Sequence, residues 1–178
     1  YYGYFEEYRG RYLNRRLAEM NNITVEDMMA LQFDSYSLKA EDFMALLKQY
    51  LKKGDLHKNE LEIWHLLKNW DCKFTGNQIE PTIFEMWFET LRLLTYDELL
   101  ALSENEDLLH GEKIRLPEQF NLLNLLKRDT ANPIFDIVTT DKRERIDDII
   151  TLAFQKTCND LKYNKANILA WKDYRSTV

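Results

Sequence analysis

Apolar residues recur along this chain at the three- and four-residue spacing that is typical of amphipathic α-helices. The clearest example follows Ser37, whose hydroxyl can cap the start of a helix. Its apolar stripe consists of Phe43, Leu46, Leu47, Tyr50 and Leu51. The basic residues and the glycine at positions 52–54 favour the end of this helix.

The same signals predict two helices before this one. The first covers about residues 6–20 and ends at Asn21-Asn22, because asparagine tolerates the left-handed conformation of a helix exit. Thr24 caps the second, where two acidic residues follow at the positive end of the helix dipole. The amino-terminal third of the chain is therefore predicted to contain three helices.

Two further helices follow in the middle of the chain. The fourth helix carries Ile63, Leu66, Leu67 and Trp70 on one face and precedes a loop over residues 71–80. Residues 83–94 are apolar on nearly every side, which predicts a buried helix at the centre of a bundle. Its densest stripe consists of Phe84, Trp87, Phe88 and Leu91. We assign these aromatic residues, together with Trp70, to the core rather than to an acyl-group pocket.

The rest of the chain contains three further predicted helices. Residues 96–102 form a short helix, and His110-Gly111 forms a connection. A helix over residues 117–128 begins with Pro117 in its first turn, where the missing N–H costs nothing. Residues 141–163 form the longest helix, and its charged face predicts a position on the outside of the bundle.

These elements predict an all-α fold, an irregular multi-helix bundle that forms a single domain over residues 1–178. Hydrophobic residues make up 45% of the chain and aromatic residues 13%, which is typical of a protein with a packed core. The chain has only five Gly and three Pro, too few for an all-β architecture with many turns.

Charge and cysteine content exclude several classes of function. The net charge of −6 argues against a nucleic-acid partner, because phosphate binding depends on clustered Lys and Arg. No apolar run reaches the roughly 20 residues of a membrane helix, so we expect no membrane partner. Cys72 and Cys158 lack the C-x-x-C spacing of a zinc or redox motif, and the sequence does not decide whether they pair.

No familiar catalytic constellation is visible in the sequence. None of the four serines lies in a G-x-S-x-G elbow. The three histidines do not form an H-E-x-x-H pair, so the sequence predicts no metal site and no cofactor. These serines and histidines are Ser35, Ser37, Ser103, Ser176, His57, His65 and His110.

Three motifs in a fixed order carry a resemblance to a known family. Residues 24–37 (TVEDMMALQFDSYS) contain T-x-E-D, then Q-x-D, then Ser. Residues 66–71 (LLKNWD) contain L-x-x-W-D, and residues 81–87 (PTIFEMW) contain T-I-F-x-x-W. This ordered set resembles the penicillin acylase family of N-terminal-nucleophile amidohydrolases.

Both ends of the chain extend the resemblance. Residues 8–17 (YRGRYLNRRL) are similar to the family's R-x-x-R-I-x-x-L-L helix, and residues 168–175 (ILAWKDYR) resemble its W-x-W-G-x-x-H segment. Two positions depart from the family pattern. Cys72 stands where the family usually has Gly after Trp-Asp, and Asp173 stands where Gly is expected near Trp171.

The resemblance implies that the chain is an internal helical segment of the large chain of an acylase. In that family, a serine at the start of the mature large chain attacks an amide carbonyl with its own amino group as base. This chain opens with Tyr1, so we expect the nucleophile outside it. The implied partners are the small chain and catalytic sheets of the parent and a small amide substrate, such as a β-lactam or an acyl-homoserine lactone. The implied location is the bacterial periplasm or the exterior.

The resemblance also assigns one site residue. When Leu13 and Leu17 are aligned with the apolar positions of the family helix, Arg9 falls on the arginine beside the nucleophile and the oxyanion asparagine. A guanidinium there would add positive potential where negative charge develops. The alternative is an ordinary exposed arginine in the basic group of residues 9–16. A second class of function also stays open, a stand-alone helical module whose aromatic grooves bind a partner helix.

Overall fold

A computed structural model of the protein describes residues 8–103 and 115–176. These residues form nine α-helices and contain no strand, which confirms the predicted all-α class. The helices are α1 (Tyr8–Glu19), α2 (Val25–Phe33), α3 (Leu38–Tyr50), α4 (Lys58–Leu67), α5 (Glu80–Thr95), α6 (Asp97–Ser103), α7 (Gln119–Arg128), α8 (Ile146–Asp160) and α9 (Trp171–Tyr174). The predicted connection at His110-Gly111 lies outside the described residues. No helix in the described ranges is long and apolar enough to cross a membrane.

Two of the helix starts that the sequence predicts, at Thr24 and Ser37, are confirmed. The Thr24 hydroxyl accepts the N–H of Asp27 at 3.1 Å, and the Asp27 carboxylate accepts the N–H of Thr24 at 2.9 Å. This reciprocal pair is a capping box. The Ser37 hydroxyl accepts the N–H of Ala40 at 3.2 Å and starts α3 in the same way. Asn22 has a φ of 53°, the left-handed conformation predicted for the exit from α1.

The centre of the bundle is the contact between α5 and α8. Trp87 and Phe84 on α5 are fully buried, as predicted. The predicted outer position of the last long helix is wrong, because α8 buries eight of its fifteen residues and packs on α5, α3 and α4. The helix is also shorter than residues 141–163. Its exposed charged and polar residues are confined to an edge near its carboxyl end, where Lys156 and Asp160 lie.

Three smaller predictions differ from the structure at helix ends. α4 ends at Leu67, so Trp70 is buried from the following turn and not from the helix. Glu118 is the residue that caps α7, which places Pro117 before the helix and not in its first turn. α3 ends at Tyr50, and the predicted stop signal instead forms a 3₁₀ turn at Lys53–Asp55.

Two apolar clusters fill the interior of the described residues. The larger one surrounds α5 and α8 and also includes buried residues of α3, α4 and α7. The smaller one consists of Tyr12, Leu31 and Leu38, with Tyr36 packed against both clusters. The small cluster attaches α1 and α2 to the edge of the bundle, and it lies directly beneath the candidate site.

The start of α8 carries an ionised group with several partners. Asp148 accepts the N–H of Arg145 at 3.1 Å as part of a capping box. Its carboxylate also accepts hydrogen bonds from the ammonium groups of Lys52, at 2.8 Å, and Lys142. Partial burial opposes ionisation, but these hydrogen bonds prevail and lower the pKa of Asp148 to about 2.

We expect the Asp148 carboxylate to contribute roughly 2 kcal/mol to the free energy of unfolding at neutral pH. The folded pKa lies below the unfolded value of about 3.9, so the contribution is present above pH ~4 and is lost as pH falls through the folded value. Asp148→Asn should therefore remove it and flatten the acid limb of stability between pH ~4 and ~2. Urea unfolding across this pH range measures both effects.

Asp42→Asn is a matched control for this prediction. Asp42 forms an ion pair with Lys127 at 2.9 Å, but the Lys127 side chain is 47% exposed. Exposed pairs contribute at most about 1 kcal/mol, so this variant should unfold close to wild type. Equal losses in the free energy of unfolding of the two variants would contradict the expected contribution of Asp148.

Candidate functional site

Arg9 lies in the first turn of α1, and its guanidinium reaches the carboxyl end of α2. Its Nη1 donates to the carbonyl of Asp34 at 2.8 Å. Its Nη2 donates to the carbonyls of Leu31 at 2.8 Å and Gln32 at 3.2 Å. The last carbonyls of a helix lack intrahelical partners and carry the negative end of the helix dipole. The Arg9 guanidinium is therefore held on α2 by backbone atoms, although Arg9 as a whole is exposed.

Tyr12 lies beneath Arg9 and links it to Asp34. The Cζ atom of Arg9 is 5.7 Å from the centroid of the Tyr12 ring, within reach of a cation–π contact. The Tyr12 hydroxyl donates to the Asp34 carboxylate, which also accepts the N–H of Tyr36 at 3.0 Å. Burial and the Asp34 charge raise the pKa of Tyr12. Burial opposes ionisation of Asp34, but the hydrogen bonds from Tyr12 and Tyr36 lower its pKa.

A second arginine extends this arrangement towards α3. Arg15 places its guanidinium 5.6 Å from the Tyr12 ring and 5.3 Å from the Tyr36 ring. The two rings stack with centroids 5.1 Å apart. Arg15 also donates to both carboxylate oxygens of Glu41, at 3.1 and 3.0 Å, and Tyr36 donates to the same carboxylate. Burial and the Glu41 contact raise the pKa of Tyr36 to about 12, so it stays a neutral donor.

The Trp-Asp motif forms a tight turn after α4. The Trp70 indole N–H donates to the carbonyl of Lys73 at 3.1 Å, and the Asp71 carboxylate accepts the N–H of Lys73 at the same distance. Cys72, between them, has a φ of 59°. This left-handed conformation favours glycine, the residue that the family pattern has at this position.

This turn connects the remaining motifs. The carbonyl of Cys72 accepts the N–H of Ser37 at 3.0 Å, and the carbonyl of Ser35 accepts the N–H of Phe74 at 3.1 Å. The Trp70 ring lies 5.4 Å from Phe84 of the T-I-F-x-x-W motif. The Phe74 ring lies 4.9 Å from Trp171 near the carboxyl end. All five sequence motifs thus form one continuous chain of contacts that begins at Arg9.

A comparison with protein families decides which family this arrangement represents. The model of the family described as penicillin amidase matches residues 1–177. The chain belongs to the penicillin amidase family. The expected resemblance is therefore confirmed over nearly the whole chain, and the membership indicates an amidohydrolase-related segment. No curated protein matches the chain.

The cysteines of this penicillin amidase segment do not pair with each other. Cys72 and Cys158 are both buried free thiols. Burial raises the pKa of Cys72 to about 11 and that of Cys158 to about 12. Both thiols are therefore protonated at neutral pH and poorly suited to act as nucleophiles. Among the residues that the structure describes, no group of three or more His, Cys, Asp or Glu side chains could hold a metal ion.

The sequence reasoning missed two residues of the candidate site. Asp34 and Tyr12 contact Arg9 directly, yet neither was singled out from the sequence. The available signal was the Q-x-D motif, because it contains Asp34 at the end of a predicted helix. The role of Arg9 in catalysis stays a prediction.

One face of α2 in this penicillin amidase segment is apolar and exposed. The helix buries only Leu31. Val25 is 72% exposed, Met29 55% and Phe33 79%. Their spacing places these three residues, with Met28, on one stripe. An exposed stripe of this kind is a feature of interaction surfaces.

Proposed function

We propose that this chain is the helical segment of a larger amidohydrolase that cleaves linear amide bonds of N-acylated substrates. The substrates are β-lactams or acyl-homoserine lactones, and the nucleophile is an amino-terminal serine outside this chain. The family match over residues 1–177 carries the proposal. The continuous chain of contacts through the five motifs supports it. The partners are the small chain and the catalytic sheets of the parent, and the location is the bacterial periplasm or the exterior.

In the proposed parent, the serine attacks the amide carbonyl while its own α-amine takes the proton. Negative charge then develops on the carbonyl oxygen, where donors from the catalytic sheets bind it. A guanidinium has five N–H donors, and Arg9 directs three hydrogen bonds to the carbonyls of Leu31 and Gln32 in α2 and of Asp34 just after it. Two donors remain for groups beyond α2. Arg9 thus contributes a fixed positive charge that orients the oxyanion asparagine and the amino group of the serine.

The proposed role of Arg9 predicts the effect of Arg9→Ala in the parent enzyme. We expect kcat or self-processing to fall by roughly tenfold to a hundredfold, because preorganised charge is lost at the reacting centre. The melting temperature should change little, because Arg9 is exposed and interactions at exposed positions contribute little to stability. Steady-state kinetics and gel analysis of processing measure the two functional effects.

Arg16→Ala is the matched control for this experiment. Arg16 lies on the same helix and pairs with Glu19 at 2.8 Å on its exposed surface. It makes no contact with α2 carbonyls in the described structure, so kinetics and processing should match wild type. Normal processing and unchanged kinetics in Arg9→Ala would refute the proposed role of Arg9 in the site.

The exposed stripe of α2 favours a second candidate function, a stand-alone interaction module that binds a partner helix. The genomic reading frame on either side of this segment distinguishes the two proposals. A serine codon upstream, with an asparagine-bearing strand encoded just before Tyr1, supports the enzyme. A start codon next to Tyr1 supports the module.

A further inference from the structure

We propose that Asp34 is a positioning residue for Arg9, an inference that rests on the proposed role of Arg9 in the active site. Asp34 contacts Arg9 by two independent routes. Its carbonyl accepts the Arg9 Nη1 donor at 2.8 Å. Its carboxylate binds the hydroxyl of Tyr12, whose ring supports the same guanidinium. Asp34 therefore provides a backbone acceptor for Arg9 and also holds the aromatic ring that the Arg9 guanidinium contacts.

The backbone at Asp34 depends on its own side chain. α2 ends at Phe33, and Asp34 turns the chain away with φ −66° and ψ 120°. The carboxylate accepts the N–H of Tyr36 two residues later, which closes a local Asx turn. This turn fixes the direction of the Asp34 carbonyl. Without the carboxylate, the turn loses its side-chain hydrogen bond and the carbonyl loses its fixed direction.

The same carboxylate also determines the place of Tyr12. Tyr12 is only 4% exposed, so its hydroxyl has little access to water. Its interaction with the ionised Asp34 is a charge-assisted hydrogen bond, the stronger kind. Loss of the acceptor would leave a buried hydroxyl unpaired and favour a different ring position. A displacement of about 1 Å at a positioning group can lower a rate by roughly a hundredfold.

Asp27 provides a matched control at the opposite end of the same helix. It caps the start of α2 through Thr24 and makes no contact with Arg9 in the described structure. Asp27→Ala and Asp34→Ala both remove an acidic residue at one end of α2. Only Asp34→Ala should disturb Arg9. A comparison of the two variants thus separates positioning of Arg9 from general stability of α2.

The first experiment uses the 178-residue chain and measures Arg9 directly. In wild type and Asp27→Ala, the signal of the Arg9 Nη1–H group, which donates to the Asp34 carbonyl, should be dispersed and slow to exchange in NMR spectra. In Asp34→Ala, it should move to the position of a free arginine and exchange rapidly. Tyr12→Phe keeps the ring and removes only the hydroxyl, so it should give an intermediate result even if Asp34→Ala folds poorly. An unchanged Arg9 signal in Asp34→Ala, or in Tyr12→Phe where only that variant folds, would overturn the inference.

The second experiment measures kcat in the parent enzyme. We expect Asp34→Ala to lower kcat by roughly tenfold or more, with Asp27→Ala within about twofold of wild type. The double variant Arg9→Ala with Asp34→Ala should be no slower than Arg9→Ala alone, because the two residues act as one unit. Multiplicative losses, or a normal kcat in Asp34→Ala beside a slow Arg9→Ala, would overturn the inference. A normal kcat in Arg9→Ala itself would instead refute the proposed role of Arg9.

Discussion

Replacement of Trp87 with Ala is expected to lower the free energy of unfolding by roughly 3 to 5 kcal/mol, the range for emptying a large aromatic site. Trp87 lies at 0% exposure on the face of α5 that meets α8. Its ring centroid is 6.1 Å from that of Phe84, and its indole N–H donates to the carbonyl of Ile150 at 3.4 Å. The substitution therefore creates a cavity between the two central helices and leaves that carbonyl without its indole donor.

Phe33→Ala is the control for this prediction, because Phe33 is 79% exposed at the end of α2. Its loss should change stability by no more than about 0.5 kcal/mol. Urea unfolding of both variants measures the difference. A loss below about 1 kcal/mol in Trp87→Ala would mean that α5 does not form the core.

The 178-residue chain alone is expected to hydrolyse no amide. In the proposed mechanism, the nucleophile is a serine with a free α-amine that lies outside this chain. Two of the four serines have hydroxyls that are hydrogen-bonded to the backbone. Ser37 caps α3, and Ser176 donates to the carbonyl of Asp173 at 3.3 Å. Without a nucleophile and oxyanion donors, catalysis falls by orders of magnitude.

The test incubates the purified chain with a chromogenic phenylacetyl amide and with an acyl-homoserine amide. A serine-directed covalent inhibitor followed by intact mass measurement is the parallel assay, and the parent enzyme is the positive control. The expected result is no turnover above the buffer blank and no mass increase. Turnover, or stoichiometric labelling at a serine, would mean that the chain contains a complete active site. The serines to inspect are Ser35, Ser37, Ser103 and Ser176.

Sequence patterns predicted the parts of the fold that local interactions determine. The caps at Thr24 and Ser37 depend on side chains within three residues of each helix start, so the sequence contains all the relevant groups. The position of α8 was predicted wrongly because its charged face, which includes Asp148, was interpreted as solvated surface. Lys52, far away in the chain, pairs with it instead. Such a tertiary partner cannot be inferred from helical periodicity alone.

The candidate site was predictable only in part, for a related reason. Arg9 was assigned through the family resemblance, but its partners are backbone carbonyls at the end of α2. Backbone acceptors are present in every residue type, so no residue pattern identifies them. The contact between Tyr12 and Asp34 requires α1 to lie across α2, a packing arrangement that neither helix encodes by itself.

The left-handed backbone at Cys72 shows that a turn can keep its conformation when another residue replaces the glycine that usually adopts it. A non-glycine residue in this conformation costs roughly 1 to 2 kcal/mol, yet the turn keeps its hydrogen bonds to Ser37 and Lys73. The surrounding contacts therefore impose the conformation, whichever residue occupies the position. A search for related segments that requires glycine after Trp-Asp would reject this chain, whereas a search for the backbone path would retain it.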